Sequence, residues 1–224
     1  MVVVIHGGYW KPTYDRHLED VVAAALARRG FAVWNIDYRP AGGAWRDTFT
    51  DVAAAIDHVP RSPQAAALNL DRVAVLGHSA GGHLALWLAS RSALPPGAVG
   101  AAPALVPRLA VGQAAVCDLV TGALEHLGDG AVAALMQGGP GQFPERYAVG
   151  SPRALLPLGD VRVVLVHGRD DTVVPVSQSR DYARAAAAAG TPVDLHLLER
   201  CEHMEHLRPR SPALAPVFAA LDGL

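Results

Sequence analysis

The sequence predicts an α/β fold, a mostly parallel sheet of about six strands with helices on both faces. Short runs of β-branched residues alternate with Ala- and Leu-rich amphipathic stretches, which is the pattern of strand–helix–strand units. Hydrophobic residues make up 51% of the 224 residues and charged residues 18%, which favours a sheet buried on both faces. Each β-branched run ends in a polar or glycine-rich turn. Because the carboxyl ends of parallel strands meet at one edge, we expect the chemistry there.

Six β-branched runs are predicted to be strands: Val2–Ile5, Phe31–Asp37, Val73–Leu76, Leu109–Val116, Val161–Val166 and Val193–Leu198. Five amphipathic stretches are predicted to be helices: Tyr14–Arg29, Asp47–His58, Gly81–Ser92, Val176–Ala189 and Pro212–Leu221. A chain of this length suits one domain, residues 1–224, because single domains run to about 250 residues before they split.

The stretch 121–157 departs from this alternation of strands and helices, because it is rich in Gly, Pro and Arg. We interpret it as a small cap insertion over the functional site, with only a short helical segment at Ala131–Met136. An ordinary irregular surface connection is the alternative interpretation.

Composition excludes several classes of partner. The formal net charge is −2, with 19 basic and 21 acidic residues, so the chain lacks the positive surface that nucleic acid requires. No apolar run is long enough to span a membrane. The start of the chain lacks the basic and longer apolar regions of a signal peptide. With only two cysteines, Cys117 and Cys201, we expect free thiols and a cytoplasmic location.

A nucleophile is predicted at Ser79. The segment Gly77-His78-Ser79-Ala80-Gly81 fits the pattern G-x-S-x-G between a strand and a helix, where a serine sits on a strained turn with its hydroxyl in the cleft. The N–H group of Ala80 is then an oxyanion-hole donor at the helix start, and His78 is a candidate substrate contact. A glycine-rich turn that cradles phosphate is the alternative, but it would call for a lysine or a longer glycine loop.

The other oxyanion donors are predicted in His6-Gly7-Gly8-Tyr9-Trp10, which follows the first strand. Two glycines let the backbone pass close to a substrate and present successive N–H groups, so Gly7, Gly8 and Tyr9 are candidates for the oxyanion hole. Tyr9 and Trp10 are expected to form one wall of the substrate pocket. His6 is expected to pin the loop through hydrogen bonds.

The acid and base are predicted from the turns after the last two strands. Asp171 fits the aspartate of the spacing H-G-x-x-D-x-x-V-P, whereas Asp170 is expected to cap the turn or face water. The base should follow the acid in the chain. His196 lies inside a predicted strand and His206 is expected at the surface, so His203, in the loop between them, is the candidate base.

A metal site is the competing interpretation of this last loop. Cys201, His203, Glu205 and His206 include types that bind zinc, but a site compressed into six residues lacks the separated pairs that usually define zinc geometry. We therefore expect no metal and no organic cofactor.

Together these motifs resemble the α/β-hydrolase superfamily over nearly the whole chain. His6–Trp10 looks like the HGGXW signature of the arylformamidase (kynurenine formamidase) group, and Gly77–Ala85 is similar to its nucleophile region. Asp37–Arg39 resembles a segment of hormone-sensitive-lipase-like carboxylesterases. His167–His203 equally resembles the carboxyl-terminal part of prolyl-oligopeptidase-like hydrolases.

The resemblance implies a serine hydrolase that cleaves a small ester or formamide through an acyl-enzyme intermediate. A peptidase-like hydrolase and a non-catalytic ligand-binding protein are the alternatives. Members of the superfamily ordinarily carry two further strands before the oxyanion loop, whereas here Met1 nearly begins the strand. We therefore expect those strands to be missing, either because the start is truncated or because this is a minimal version of the fold. Phe31–Asp37 is then expected to form an exposed edge. We expect the chain either to form a homo-oligomer through this edge or to be less stable than relatives that carry the extra strands.

Overall fold

A single sheet of six parallel strands forms the centre of the computed structural model, which describes residues 1–224. The strands are β1 Val2–Ile5, β2 Val33–Ile36, β3 Ala74–His78, β4 Leu109–Gln113, β5 Arg162–Gly168 and β6 Val193–Leu198. Their order across the sheet is β2-β1-β3-β4-β5-β6, and every neighbouring pair is parallel. The predicted fold class is confirmed. The edge position of β2 is also found, but self-association through it stays a prediction.

Eight α-helices connect and flank the strands: α1 Asp20–Arg28, α2 Asp47–His58, α3 Ala80–Ser90, α4 Leu119–Leu124, α5 Leu127–Met136, α6 Pro144–Gly150, α7 Ser177–Ala188 and α8 Leu214–Asp222. The first helix was predicted to begin at Tyr14, but α1 begins at Asp20, because Arg16–Glu19 forms a 3₁₀ turn capped by the Asp15 side chain. The longest helices have 12 residues, and none has both the length and the apolar character to cross a bilayer.

The two faces of the sheet bury separate hydrophobic clusters. Val3 and Ile5 of β1 point into the larger cluster, to which α2, α3 and α7 contribute. Val2 and Val4 point to the other face and pack with side chains of α1 and α8. Alternate residues of a strand face opposite sides of a sheet, so β1 is buried on both. Helix α3 has every residue buried, which fixes its first turn, and with it the serine that precedes it, against the sheet.

The segment 121–157 is more helical than predicted. It contains most of α4 and all of α5 and α6, where the sequence indicated one short helix. Backbone φ angles of 54° at His126, 64° at Gly128 and 83° at Gly130 interrupt the helical path between α4 and the remainder of α5. Leu135 and Met136 are buried in the larger core cluster, which explains why this glycine-rich stretch is ordered. Its role as a cap stays a prediction.

Strand ends also differ from the prediction. The fourth strand was expected to reach Val116, but β4 stops at Gln113 because Ala114 has a φ of 46°. The third strand continues to His78, which carries the strand up to the serine itself. The carboxyl ends of β1, β3 and β5 therefore present the three predicted motifs at one edge of the sheet.

Candidate active site

Ser79 lies on a sharp turn between β3 and α3, with φ 57° and ψ −119°. This conformation is sparsely populated for a residue with a side chain and persists only where the surroundings hold it. The Ser79 N–H donates to the Gln113 carbonyl at 2.8 Å, and the Ser79 carbonyl accepts from the His83 N–H at 3.1 Å. A Cβ at Gly81 would collide with the main-chain oxygens of Ile5 and His6. The glycine therefore allows α3 to begin directly beside the end of β1.

The predicted base and acid are hydrogen-bonded to each other. His203 Nδ1 lies 2.7 Å from Asp171 Oδ2, and His167 Nε2 lies 3.3 Å from the same oxygen. Asp171 Oδ1 accepts from the main-chain N–H groups of Val173 and Val174, each at 2.8 Å. Since the carboxylate can only accept when it is ionised, Nδ1 of His203 carries the proton and Nε2 keeps its lone pair.

The environment keeps Asp171 ionised. Its side chain has no exposed surface, and burial alone would raise the pKa of the carboxyl. The hydrogen bonds from His167 and His203, together with the one from Val174, outweigh burial and hold the pKa of Asp171 well below its ordinary value of 3.8. The site thus supplies a fixed negative charge beside the imidazole at any pH near neutral.

The rejected alternatives occupy different places. Asp170 is exposed, which matches the expectation that it faces water. His196 lies in β6 and is 3.1 Å from Asp194. The expectation that His206 lies at the surface is wrong: His206 is fully buried and neither ring nitrogen has a hydrogen-bond partner. The short 3₁₀ helix His203–Leu207 turns this ring inward, under the loop. No group of three or more acidic, His or Cys side chains is placed to hold a metal ion.

The glycine loop after β1 passes directly over the nucleophile. A Cβ placed on Gly7 would lie 3.1 Å from Ser79 Cβ and 2.8 Å from the His78 carbonyl oxygen. Gly8 has a φ of 101° and Tyr9 a φ of 52°, so successive peptide groups turn away from the strand direction. The N–H groups of Gly7, Gly8 and Tyr9 donate to no acceptor in the chain. They are therefore free donors near the serine, as an oxyanion hole requires.

The loop is held in place by its own side chains. His6 Nδ1 donates to the Gly7 carbonyl at 2.8 Å, and the His6 ring stacks on Tyr38 with centroids 4.2 Å apart. The Tyr9 hydroxyl donates to the Val173 carbonyl at 2.8 Å, and so joins this loop to the acid loop. A Cβ on Gly128 would collide with the Tyr9 ring, so the start of α5 packs closely on Tyr9.

A cleft of about 220 Å³ opens at Ser79 and His203. Its remaining lining residues are Gly8, Tyr9, Tyr14, Leu18, His78, Val173 and Met204. None of them is Lys, Arg, Asp or Glu, which fits a neutral substrate. Trp10 corrects the prediction: it is fully buried in the larger core cluster, edge-on to His83, and does not line the cleft. Its backbone turns inward at a φ of 54°.

Four of the lining residues were not predicted. Tyr14 and Leu18 reach the cleft because the chain folds back over Gly8 after the glycine loop, and nothing in the local sequence signals this return. Val173 and Met204 could have been found, since each follows within two residues of a predicted catalytic residue. Tyr14 is 46% exposed, Val173 38% and Met204 48%, so the rim of the cleft is apolar.

His78 lines the cleft but is only 1% exposed. Its Nε2 atom lies 2.9 Å from the main-chain carbonyl oxygen of His203. His78, the residue before the candidate nucleophile, is thus hydrogen-bonded to the backbone of His203, the candidate base. The sequence had predicted His78 only as a substrate contact and gave no sign of this bond.

Comparison with known proteins gives a family and a set of similar structures. The BD-FAE family model matches residues 1–185. A comparison with curated proteins gives no match. Among solved structures, the chain is similar to Esterase B from Lactobacillus Rhamnosis, with a TM-score of 0.84 and 21% identity over 99% of this chain and 75% of that chain.

Two further solved structures are similar. One is a truncated form of a carbohydrate esterase from gut microbiota, with a TM-score of 0.77 and 21% identity over 91% of this chain and 78% of that chain. The other is a thermophilic esterase from the Planctomycetes species Thermogutta terrifontis, with a TM-score of 0.75 and 23% identity over 100% and 80%. These likenesses show that the chain has the α/β-hydrolase fold.

Proposed function

The chain belongs to the BD-FAE family, and from this premise we propose that it is a serine hydrolase of small neutral esters, with Ser79 as nucleophile, His203 as base and Asp171 as the acid that orients it. The observation that carries the proposal is the 2.7 Å bond between His203 Nδ1 and Asp171, on a loop that shares one cleft with a serine on a strained turn. A histidine oriented in this way beside a serine is the arrangement that activates a hydroxyl for acyl transfer.

The reaction begins with attack of the Ser79 hydroxyl oxygen on the ester carbonyl. His203 Nε2 takes the hydroxyl proton, and Asp171 stabilises the imidazolium that forms without accepting the proton itself. The carbonyl oxygen becomes an oxyanion, for which Gly8, Tyr9 and Ala80 supply main-chain N–H donors, with Gly7 beside them. The positive end of the α3 dipole favours the same charge.

Collapse of this intermediate breaks the bond to the alcohol. The proton on His203 passes to the departing alkoxide, and the acyl group stays on Ser79 as an ester. A water molecule then attacks the acyl carbonyl while His203 accepts one of its protons. The second tetrahedral intermediate collapses by breaking its bond to the Ser79 oxygen, which takes the proton back from His203, and the carboxylic acid is released. Each step uses only groups of the chain, substrate and water.

Substrate size and polarity follow from the cleft. A volume of about 220 Å³ is below the range of roughly 300–1,000 Å³ that encloses drug-sized ligands, so a short acyl group fits beside an alcohol part that extends past the rim. The similar structures include esterases and an acetyl ester-xyloside bifunctional hydrolase from Caldicellulosiruptor lactoaceticus, which supports an ester. The segment His6–Trp10, similar to the arylformamidase signature, favours a formamide as a second substrate.

Labelling and turnover together test the proposal. The pure chain is treated with a fluorophosphonate and assayed with p-nitrophenyl acetate, p-nitrophenyl butyrate, acetylated xylose and N-formylkynurenine. We expect labelling of Ser79, ester turnover in the wild-type chain, and loss of both in Ser79→Ala, by about 10⁶-fold for turnover. A chain that neither labels nor turns over any of these substrates would contradict the proposal and favour a ligand-binding protein. A Ser79→Ala variant with wild-type rates would contradict the assignment of Ser79 as the nucleophile.

A further inference from the structure

Three buried polar side chains, His78, Gln113 and His206, lie near the candidate nucleophile. His78 ends β3 and Gln113 ends β4, and the two are partners in the parallel register, so their side chains point to the same face of the sheet. The ring of His206 lies 5.7 Å from that of His78, centroid to centroid. His78 is 1% exposed, and Gln113 and His206 are fully buried.

Several polar atoms of these side chains have no hydrogen-bond partner in the protein. His78 Nε2 faces a carbonyl oxygen, which can only accept, so Nε2 carries the ring proton. His78 Nδ1 is then an acceptor, and it has no donor. Both polar atoms of the Gln113 amide and both ring nitrogens of His206 are also without partners. Five buried polar atoms of these three side chains therefore have no partner, whereas buried polar atoms in proteins ordinarily have one.

Both imidazoles are neutral in this environment. Burial, with the nearby rings of His203 and His206, lowers the pKa of His78 well below its ordinary value. Burial likewise lowers the pKa of His206 to about 3, against the opposing attraction of Asp171. A neutral imidazole has one donor and one acceptor. The site thus offers both donors and acceptors, and a water molecule is a ligand that can both accept from and donate to such groups.

One main-chain bond of Gln113 and one side-chain bond of His78 reach the candidate nucleophile and the candidate base. The Gln113 carbonyl accepts from the Ser79 N–H at 2.8 Å, and His78 Nε2 donates to the His203 carbonyl at 2.9 Å. The rings of His78 and His203 lie 4.5 Å apart. The orientation of His78 therefore affects where the backbone of His203 lies relative to Ser79.

We propose that His78 is a positioning residue for His203, and that its imidazole is itself oriented by an ordered water bound between His78, Gln113 and His206. The bond from Nε2 fixes the loop that carries the base, and the buried water fixes the ring that makes this bond. The proposal rests on the proposed function, because positioning has a kinetic consequence only if His203 is the base.

Matched variants in the full chain test the positioning. His78→Leu removes the bond to the His203 carbonyl. His83→Leu is the control: His83 is equally buried, its Nε2 donates to the Gly150 carbonyl at the same 2.9 Å and its Nδ1 is also unpartnered, but it is tied to α6 and not to the catalytic loop. His78→Gln keeps an amide N–H near the position of Nε2. His78→Met, without a donor, replaces the leucine variant if that variant does not fold.

We expect His78→Leu to lower kcat for p-nitrophenyl acetate by about 10²-fold, with KM within about threefold, since a displacement of a catalytic group by about 1 Å has a cost of this size. His83→Leu should keep kcat within about threefold of wild type, although its melting temperature should fall about as far as that of His78→Leu. His78→Gln should recover most of kcat. Equal kcat losses in the two leucine variants, or wild-type kcat in His78→Leu, would overturn the positioning role. An inactive wild-type chain would instead contradict the proposed function.

A high-resolution crystal structure of the wild-type chain tests the water independently of activity. We expect density for at least one water within hydrogen-bond distance of two or more of His78, Gln113 and His206. Dry side chains that bond directly to one another would overturn this part of the proposal.

Discussion

Asp171→Asn replaces one carboxylate oxygen with an amide group and keeps the shape of the side chain. In the structure Oδ1 accepts two main-chain N–H bonds at 2.8 Å, from Val173 and Val174, so the amide oxygen of the variant must occupy that position. The NH₂ group then faces His203 Nδ1, 2.7 Å away. Because both would otherwise be donors, the proton of His203 moves to Nε2. That nitrogen can no longer accept the proton of Ser79.

The loss expected from a wrong tautomer is about 10⁴-fold in kcat, which corresponds to about 5.4 kcal/mol of activation free energy at 1.36 kcal/mol per tenfold. KM should change little, since Asp171 has no exposed surface with which to touch substrate. Steady-state hydrolysis of p-nitrophenyl acetate measures both constants. Thermal melts of the same samples establish that the variant is folded, which matters because one buried charge-assisted interaction has been removed.

Asp170→Asn is the matched control, because it makes the same chemical change one residue away on an exposed side chain. Its kcat should stay within about threefold of wild type, as surface substitutions usually have small effects. Equal losses in the two variants, or more than a tenth of wild-type kcat in a folded Asp171→Asn chain, would refute the reasoning from the tautomer.

Three further predictions concern the loop, a buried acid and acidification. Gly8→Ala should lower both the melting temperature and kcat, because φ at Gly8 is 101° and a Cβ would collide with the Tyr14 ring. Gly42→Ala is the control: its φ is 118° but the space around it is open, so only the strain of a positive φ should lower its melting temperature. Equal losses of kcat in the two variants would contradict the role of the glycine loop. Burial raises the pKa of Glu19 from 4.5 to about 8, so the folded state binds the extra proton and stability should fall as the pH rises through that window. Glu19→Gln should remove this slope in melts from pH 5 to pH 9; an unchanged slope would show that another group titrates. The lowered pKa of Asp171 gives the opposite dependence of stability on pH. The ionised carboxylate stabilises the fold above the unfolded pKa of 3.8, and this contribution is lost as the pH falls through the folded pKa. The melting temperature should therefore fall more steeply with acidification in wild type than in Asp171→Asn.

Local sequence patterns were sufficient to predict the sheet and the order of its motifs. Val2–Ile5 and Val193–Leu198 are strands at the predicted bounds, and Asp47–His58 is a helix at its predicted bounds. These segments have strong periodicity and clear turn residues at their ends. The strand that ends at Gln113 was predicted too long, because the left-handed φ of Ala114 has no signature in an apolar run.

Side-chain surroundings were harder to predict because they depend on contacts distant in sequence. His206 was expected at the surface from its neighbours in sequence, but β3 supplies the wall against which it is buried. Trp10 was assigned to the cleft from its motif, although it is buried in the larger core cluster and packs edge-on against His83 of α3. The pairing of His203 with Asp171 is different: the spacing of the motifs placed both on adjacent strand ends, and the structure brings them within hydrogen-bond distance.

The hydroxyl of Tyr9 forms a brace across the mouth of the cleft. It bonds to Val173, 164 residues away in sequence. Burial and the nearby charge of Asp171 raise the pKa of Tyr9 to about 12, so the hydroxyl keeps its proton at neutral and moderately alkaline pH. This hydrogen bond therefore links the glycine loop, which carries the candidate oxyanion donors, to the loop that carries Asp171. A substitution near Val173, in the loop of the candidate acid, should therefore also displace the candidate oxyanion donors in the glycine loop.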